Sequence, residues 1–434
     1  MQTFIILWVG QIASAIGSSM TYFALTLWVW QQTESATAIA LILFFYQLPQ
    51  IAISLFSGIL VDRVSRKHLL ILSDTGSACC TLSVGILAAF GMLQLWHIYL
   101  IAAIIGCFGN VQALTYSTTV PLIVPPQHHA RASSMGAMVG YGAGILAPAL
   151  AGILYPTIGL LGITLIDMGT FGMAILALFP IQIPQIDRKN ENPDVQAQRN
   201  KWRDLTFGFR YIASNPSLLA MVIAMSAFAF LHQMGETLYQ PMILARTGGD
   251  TRILGIVVAA SGMGGVAGAI AFGIWGGFKR RVFGLLFGFI GTGLSKLLLG
   301  LGQLPVIWGV AQFGSSFHSP LIFSSYMAVW YAKVAPELQG RVLAADYLIG
   351  LAIGSSASLS AGLLADRVFE PIVLSKNWFS SLFHLLVGAT TGSGISLLYV
   401  LNALCLVFLG IGSFAIHRLR NADTIMPDDE AFGQ

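Results

Sequence analysis

Charge is what this chain has least of. Only 9% of its residues are Asp, Glu, Lys or Arg, against roughly 25% in soluble domains, while 56% are hydrophobic. A mean hydropathy of +0.77 excludes a water-soluble domain and identifies an integral membrane protein. The formal net charge of +4 does not point to nucleic acid, because the basic residues line the rims of apolar runs instead of forming a patch. Cysteine is also rare. Cys79, Cys80, Cys107 and Cys405 fall inside apolar runs, without the spacing of a metal cage or a disulfide framework, and are read as packing residues. No Gly-x-x-x-x-Gly-Lys-Ser/Thr loop is present, which excludes a phosphate-cradling ATPase in this chain. The N-terminus lacks the basic stretch and small-residue cleavage site of a removed signal, and is read as the first span.

What the chain does have is apolar length. Runs separated by turn or charged residues lie near 4–30, 36–61, 69–91, 97–124, 132–155, 157–181, 216–242, 251–276, 283–302, 304–332, 341–366 and 393–417. A helix needs roughly 20 such residues to cross a bilayer, so the expectation is an all-α membrane protein of twelve transmembrane helices with both termini on one side. Lys and Arg test this, because they collect in short loops that face the cytoplasm. With residue 1 inside, the inner segments hold Arg63, Arg66 and Lys67; Arg131; Arg188, Lys189, Arg199, Lys201, Arg203 and Arg210; Lys279, Arg280 and Arg281; Lys333 and Arg341; and Arg418 and Arg420, which is 17 of the 22. The outer segments hold Arg246, Arg252, Arg367 and Lys376, and Lys296 is mid-span. A miscounted span would swap every later loop and destroy the bias. Both termini are therefore expected in the cytoplasm, in a multi-pass protein of the cell (inner or plasma) membrane.

The connection 182–215 differs in kind. Its "DRKNENPDVQAQRNKW" is polar and charge-rich, and a short surface helix is expected from Trp202 to Ala213, before Pro216. It divides the chain into a first six-helix half (1–181), a cytoplasmic linker (182–215), a second half (216–420) and a cytoplasmic tail (421–434). On the outer side, "NWFSSLFHLLVG" (377–388) suits an interfacial helix. Sliding one half along the other by 215 residues sets Gly58 on Gly273, Arg66 on Arg281, and the charged turn 62–67 on "GFKRRV" (277–282). Two related halves that rock about a site between them are a known transporter solution.

The stretch "GILVDRVSRK" (58–67) resembles the G-x-L-x-D-R-x-G-R-[RK] motif after the second span of the major facilitator superfamily. Ser65 stands where that motif has glycine, and Gly277 stands at the acidic position of the second-half copy. "PLIVPPQHHARASSM" (121–135), "PELQGRVLAADYL" (336–348) and "GLLADRVFEPI" (362–372) are similar to the branch that contains macrolide-efflux proteins and the enterobactin exporter. The resemblance runs over about residues 1–420. It implies two pseudo-symmetric six-helix halves, no cofactor, a proton gradient as driving force, and a monomer. It also implies an inner gate. In the family the motif's acid faces the start of the eleventh span when the cytoplasmic side is closed. Here that sets Asp62 against the backbone around Gly340 to Leu343, with Gly58, Arg63, Arg66, Lys67 and Arg341 in the same cluster. "GYGAGILAPALAG" (140–152) is similar to the fifth-span motif of drug–proton antiporters, with Ala143 and Ala147 at glycine positions.

Ionisable residues within spans cost about 2.5 to 3.5 kcal/mol on insertion scales, and so face a cavity or a partner. They are Asp74, Asp167, Glu236, Lys296 and Asp346, with His232 and His318 as weaker members. Asp167 falls near the membrane midplane, and Glu236 toward the outer end of its span, with His232 four residues earlier on the same face. A desolvated carboxylate can take up a proton on one side and release it on the other; the alternative for each is a fixed hydrogen bond to a neighbouring helix. Lys296 fits either a structural counter-charge or a contact for an anionic substrate. Asp74 and Asp346 lie near the cytoplasmic rim and are expected to join the gate's charge network. Tyr22, Tyr46, Gln47, Asn110, Gln112, Tyr116 and Gln233 are expected to line a cavity for a bulky amphipathic molecule. The run "SGMGGVAGAIAFG" (261–273) offers small-residue faces for close helix contact.

The expected function is a secondary active, proton-coupled exporter of a hydrophobic or amphipathic small molecule, such as a macrolide-like drug or a siderophore. The alternatives are an uptake or facilitated-diffusion carrier and, from another class, a membrane-embedded transferase. The one close His pair, His128-His129, has no local carboxylate, so neither a catalytic constellation nor a metal site is predicted. The expected partners are a small-molecule substrate and the lipid bilayer, with no nucleic acid.

Overall fold

In hydrocarbon a backbone has to satisfy its own hydrogen bonds, and long apolar runs do so as helices. The computed structural model describes residues 2–179, 181, 201–374 and 391–420, and the regular structure of the described residues is helical throughout. Ten of these helices are long and apolar enough to cross a membrane. The first half contains α1 (Gln2–Thr33), α2 (Ala36–Arg63), α3 (Arg66–Ala89), α4 (Leu95–Ile123) and α5 (His129–Leu178). The helix α6 (Lys201–Ser214) leads into the second half. There the order is α7 (Pro216–Arg246), α8 (Thr251–Trp275), α9 (Arg281–Leu301), α10 (Pro305–Phe317), α11 (Ser319–Lys333) and α12 (Pro336–Leu364). A π-helical turn (Ala365–Phe369) continues α12 into the short α13 (Glu370–Leu374), and α14 (Ser393–Ala415) and α15 (His417–Arg420) close the described chain. The expected interfacial segment 377–388 and most of the linker lie outside the described residues, as do the side chains of Asp62 and Arg63.

Three boundaries differ from the sequence reading. The runs 132–155 and 157–181 are joined in α5, which folds back on itself at Gly159 (φ 62°, ψ −170°), a conformation open to glycine. Trp8 Nε1 donates to the Met135 carbonyl at 2.6 Å, while Gly10 packs on Ala174 and Ala177. Both ends of α5 therefore lie beside the start of α1, and its two arms, 129–158 and 160–178, are antiparallel. The run 304–332 is bent rather than straight: α10 and α11 meet at His318, whose Nδ1 lies 2.7 Å from the Gly314 carbonyl. The run expected at 341–366 begins at Pro336, because proline at the first helical position and Glu337 in the first turn make a helix start that hydropathy passes over. Two of the cysteines expected to pack, Cys79 and Cys405, are exposed.

The expected surface helix is present as α6. Its apolar face, with Phe207, Tyr211 and Ile212, packs into the second half's core. Gly208 brings it against the Arg341 backbone, and the Arg341 guanidinium sits 5.7 Å from the Phe207 ring.

Small residues set how the halves meet. Gly152 and Gly255 bring α5 and α8 into contact, with Thr251 Oγ1 donating to the Gly152 carbonyl at 3.0 Å. Gly262 and Gly265 pack on Ile145 and Tyr141. In the second pair, α2 and α12 run antiparallel, with Thr37 and Ala40 against Gly362 and Gln47 beside Gly354. The approaches at Gly152, Gly255 and Gly362 lie in the part of the bundle near Gly159, the far end, and that of Gly265 on Tyr141 lies near mid-helix. Toward the opposite, basic end, where Arg66 and Arg281 begin their helices, Gly136 and Gly140 line open space within the first half and Gly273 has no neighbour within 4 Å among the described residues. Close glycine approaches between the halves are thus found from mid-helix to the far end.

Candidate functional site

A cavity of about 400 Å³ lies wholly within the first half, walled by α1 to α5. Its polar lining includes Tyr22, Tyr46, Asp74, Gln112, Tyr116 and Asp167. Asp167 is 2% exposed. Its Oδ1 accepts from Ser18 Oγ (3.2 Å), and its Oδ2 from Thr21 Oγ1 (2.9 Å) and Thr81 Oγ1 (3.0 Å). The close approach of α1 depends on Gly17, where a Cβ would run into Asp167 and Thr170. Asp74 accepts from Gln112 Nε2 at 2.5 Å and from Gln11 Nε2 at 3.3 Å. Among the described residues, no Lys, Arg or His lines this cavity. Both carboxylates are therefore held by neutral donors, which orient a charge without cancelling it.

The second half pairs one of its acids with a lysine. Glu236 Oε1 lies 2.6 Å from Lys296 Nζ and 3.9 Å from His232 Nε2, and Gln312 Nε2 donates to Oε2 at 3.4 Å. Lys296 is fully buried, with its Nζ 5.8 Å from the Tyr399 ring centre. Of the two readings left open for Lys296, the geometry is that of a counter-charge. The imidazole of His232 stacks on Phe228, which stacks on Phe289. Asp346 accepts from Tyr326 Oη at 2.6 Å, in a second cavity of about 480 Å³ that includes Met225, Phe323, Met327 and Tyr347.

Several expectations are corrected by this arrangement. Among the described residues Asp74 has no charged partner; its bonds to Gln11 and Gln112 turn it into the first-half cavity. Asp346 bonds to a tyrosine of its own half. Arg341 stacks on Phe207, and Gly340 and Arg341 lie within α12, not at its start. Lys67 Nζ donates to the carbonyls of Phe179 and Ile181, both at 2.8 Å, and so pins the end of α5. Of the seven expected cavity residues, Tyr22, Tyr46, Gln112 and Tyr116 line the first-half cavity. Of the other three, two lie where the halves meet, Asn110 Nδ2 donating to Tyr347 Oη (3.3 Å) and Gln47 standing beside Gly354, while Gln233 bonds to Ser358 (3.4 Å) within the second half.

Sequence reasoning missed the residues that hold the acids: Ser18, Thr21 and Thr81 around Asp167, Gln11 beside Asp74, Tyr326 on Asp346. A hydroxyl in a span ordinarily bonds its own helix, as Thr115 does to the Val111 carbonyl, so type alone does not mark these. The spacing of Gln11, Ser14, Ser18 and Thr21 on one face of α1 was the available signal.

A family model described as the Major Facilitator Superfamily matches residues 7–357. Macrolide efflux protein A of Streptococcus pyogenes is 24% identical over 382 residues, covering 87% of this chain and 91% of that protein. The multidrug efflux pump Tap of Mycolicibacterium fortuitum is 23% identical over 366 residues, covering 82% and 87%. Among solved structures, the nucleoside transporter NupG aligns with a TM-score of 0.71 at 11% identity, over 94% of this chain and 99% of that one. A bacterial homologue of the human lysosomal transporter Spinster, inward-facing and unoccupied, aligns at 0.65 and 15%, over 97% and 95%.

Proposed function

The chain belongs to the major facilitator superfamily, a family of transporters and not of enzymes, and from that premise we propose that it is a proton-coupled exporter of amphipathic small molecules working by alternating access. It is a multi-pass membrane protein. Twelve crossings follow when α5 counts as two arms and α10 with α11 as one bent span, and the bias of Lys and Arg sets both ends in the cytoplasm of the cell membrane. The halves 1–181 and 216–420 are then the rocking units, linked through 182–215, and the basic end is the cytoplasmic one. The chain works as a monomer without a cofactor.

The observation that carries this reading is the pair of carboxylates, Asp74 and Asp167, in a cavity that no basic residue lines among the described residues. Open to the cytoplasm, the ionised acids and the tyrosines take up a basic amphipathic molecule. Turned to the outside, the acids receive protons, lose their attraction for the cation, and release it. The protons leave when the cavity faces the cytoplasm again, so proton entry drives export. The same lining favours an amine-bearing macrolide over an anionic siderophore. The efflux relatives agree with export rather than uptake.

The test is transport into proteoliposomes under an imposed pH gradient, with erythromycin as a basic macrolide and a catecholate siderophore as its anionic rival. Asp167→Asn is expected to reduce gradient-driven accumulation of the macrolide at least about 100-fold, and Asp74→Asn about tenfold, by analogy with the removal of a proton-transfer group. Unchanged driven transport in both variants would sink the assignment. Preferential transport of the siderophore would overturn the substrate class.

A further inference from the structure

The segment "GLLADR" (362–367) spells the same Gly-x-x-x-Asp-Arg pattern as "GILVDR" (58–63). One copy ends α12 and the other ends α2. These helices are antiparallel neighbours from opposite halves, so each copy lies opposite the start of the other helix. At the far end the contact is made. Asp366 Oδ2 accepts from Ser35 Oγ (2.5 Å) and from the Thr37 N–H (2.8 Å), and Oδ1 accepts from the Ala36 N–H (3.1 Å). Ser35 Oγ in turn accepts from the Ala38 N–H at 3.1 Å.

The first N–H groups of α2 are thus satisfied by a carboxylate 331 residues away in the chain. A helix N-terminus carries partial positive charge and attracts an anion, and bonds from its N–H groups to a carboxylate are charge-assisted. The motif glycine contributes separately, since a Cβ at Gly362 would strike Thr37 and glycine permits the approach that lets Asp366 reach. Asp366 also sits in a π-helical turn, a widened turn frequent at functional positions.

The other end of the pair is in the opposite condition. The register that sets Thr37 on Gly362 and Gln47 near Gly354, continued to the basic end, sets Asp62 opposite the first turn of α12, at Glu337 to Gln339. The hydroxyl of Ser35 has no counterpart there: the residue before that turn is Ala335, which makes no side-chain cap.

We infer that Asp366 is a positioning residue of the transport cycle, a latch that holds the far end shut by gripping the N-terminus of α2 and has to release it before the cavity opens there. Because α2 and α12 belong to different halves, any separation of the halves at the far end breaks all three bonds together. Near the headgroups the freed groups regain water, which keeps each net bond modest and the latch reversible. The inference rests on alternating access, but on neither the substrate nor the coupling ion proposed above.

The test is a pair of spin-label distances in a chain whose four cysteines are replaced. One pair, on Thr157→Cys and Arg252→Cys, reads the far end; the other, on Arg131→Cys and Lys279→Cys, reads the basic end. All four sites are exposed. Asp366→Asn, of the same size without the charge, is expected to raise the ratio of far-open to far-closed molecules roughly five- to tenfold. The basic-end distance shortens in step. Ser35→Ala shifts both the same way by less, and Asp366→Glu restores most of the wild-type distribution. Unchanged distributions in Asp366→Asn overturn the latch, as does a lower melting temperature without a shift in population, which marks an ordinary helix cap. Should Asp366→Asn fail to fold, an absent shift in Ser35→Ala overturns it equally. Shifted distances without transport of any tested compound count against the export reading and leave the latch standing.

Discussion

The two halves share a helical plan and part company in how they treat buried charge. In the first half, Asp167 and Asp74 face a cavity and are held by hydroxyls and amides. In the second, Glu236 is closed against Lys296, and Asp346 is bonded to Tyr326. A neutral donor fixes a carboxylate in place and leaves its charge available to a ligand or a proton. A lysine at 2.6 Å uses that charge up. The contrast rests on Glu236, the acid that has a lysine partner, since Asp346 keeps a neutral donor beside a cavity as Asp74 and Asp167 do.

The sharpest way to break this contrast is to strip the second half of its counter-charge. Lys296→Met leaves Glu236 with only His232 and Gln312 beside it and is expected to cost about 3 kcal/mol, the low end for breaking a buried pair because the Glu236 side chain is 27% exposed, seen as a lower melting temperature of the purified protein in detergent. Glu236→Gln combined with Lys296→Met is expected to recover most of that loss; if it does not, the pair is not what Lys296 provides. A smaller effect tests the first half. Thr81→Val removes one of three hydroxyls from Asp167 and is expected to cost about 1–2 kcal/mol, while altering driven macrolide transport more than melting temperature. An equal fall in melting for Thr81→Val and Lys296→Met would erase the distinction between the halves. The smallest effect concerns the staple between α3 and α5. Lys67→Gln weakens its grip on the Phe179 and Ile181 carbonyls and is expected to cost about 0.5 kcal/mol, with transport unchanged.

Much of the architecture was legible in the sequence alone. The helix edges followed the charged rims, α6 followed the polar linker with its apolar stripe, and within 261–273 Gly264 and Gly268 do pack on neighbouring backbone, that of Phe313 and Phe317. His232 and Glu236 share a face as their spacing required. The start of α12 was missed because Pro336 and Glu337 are helix-starting residues that a reading of apolarity discards. Asp74 was misassigned for a related reason. Its depth along α3 suggested the rim, whereas its direction around the helix, toward Gln11 and Gln112, decides what it touches.

The sequence by itself determined that this chain lives in a bilayer as long apolar helices. Hydropathy, charge placement and turn residues act within a few residues, and the bilayer accepts few other solutions. Only the tertiary structure decided which buried charge is cancelled and which is free. The partners of Glu236 and Asp167 stand 60, 86, 146 and 149 residues away, and Asp366 reaches across 331 to close one end of the bundle. Such pairings depend on how helices turn their faces toward one another, and no local pattern in the chain encodes that rotation.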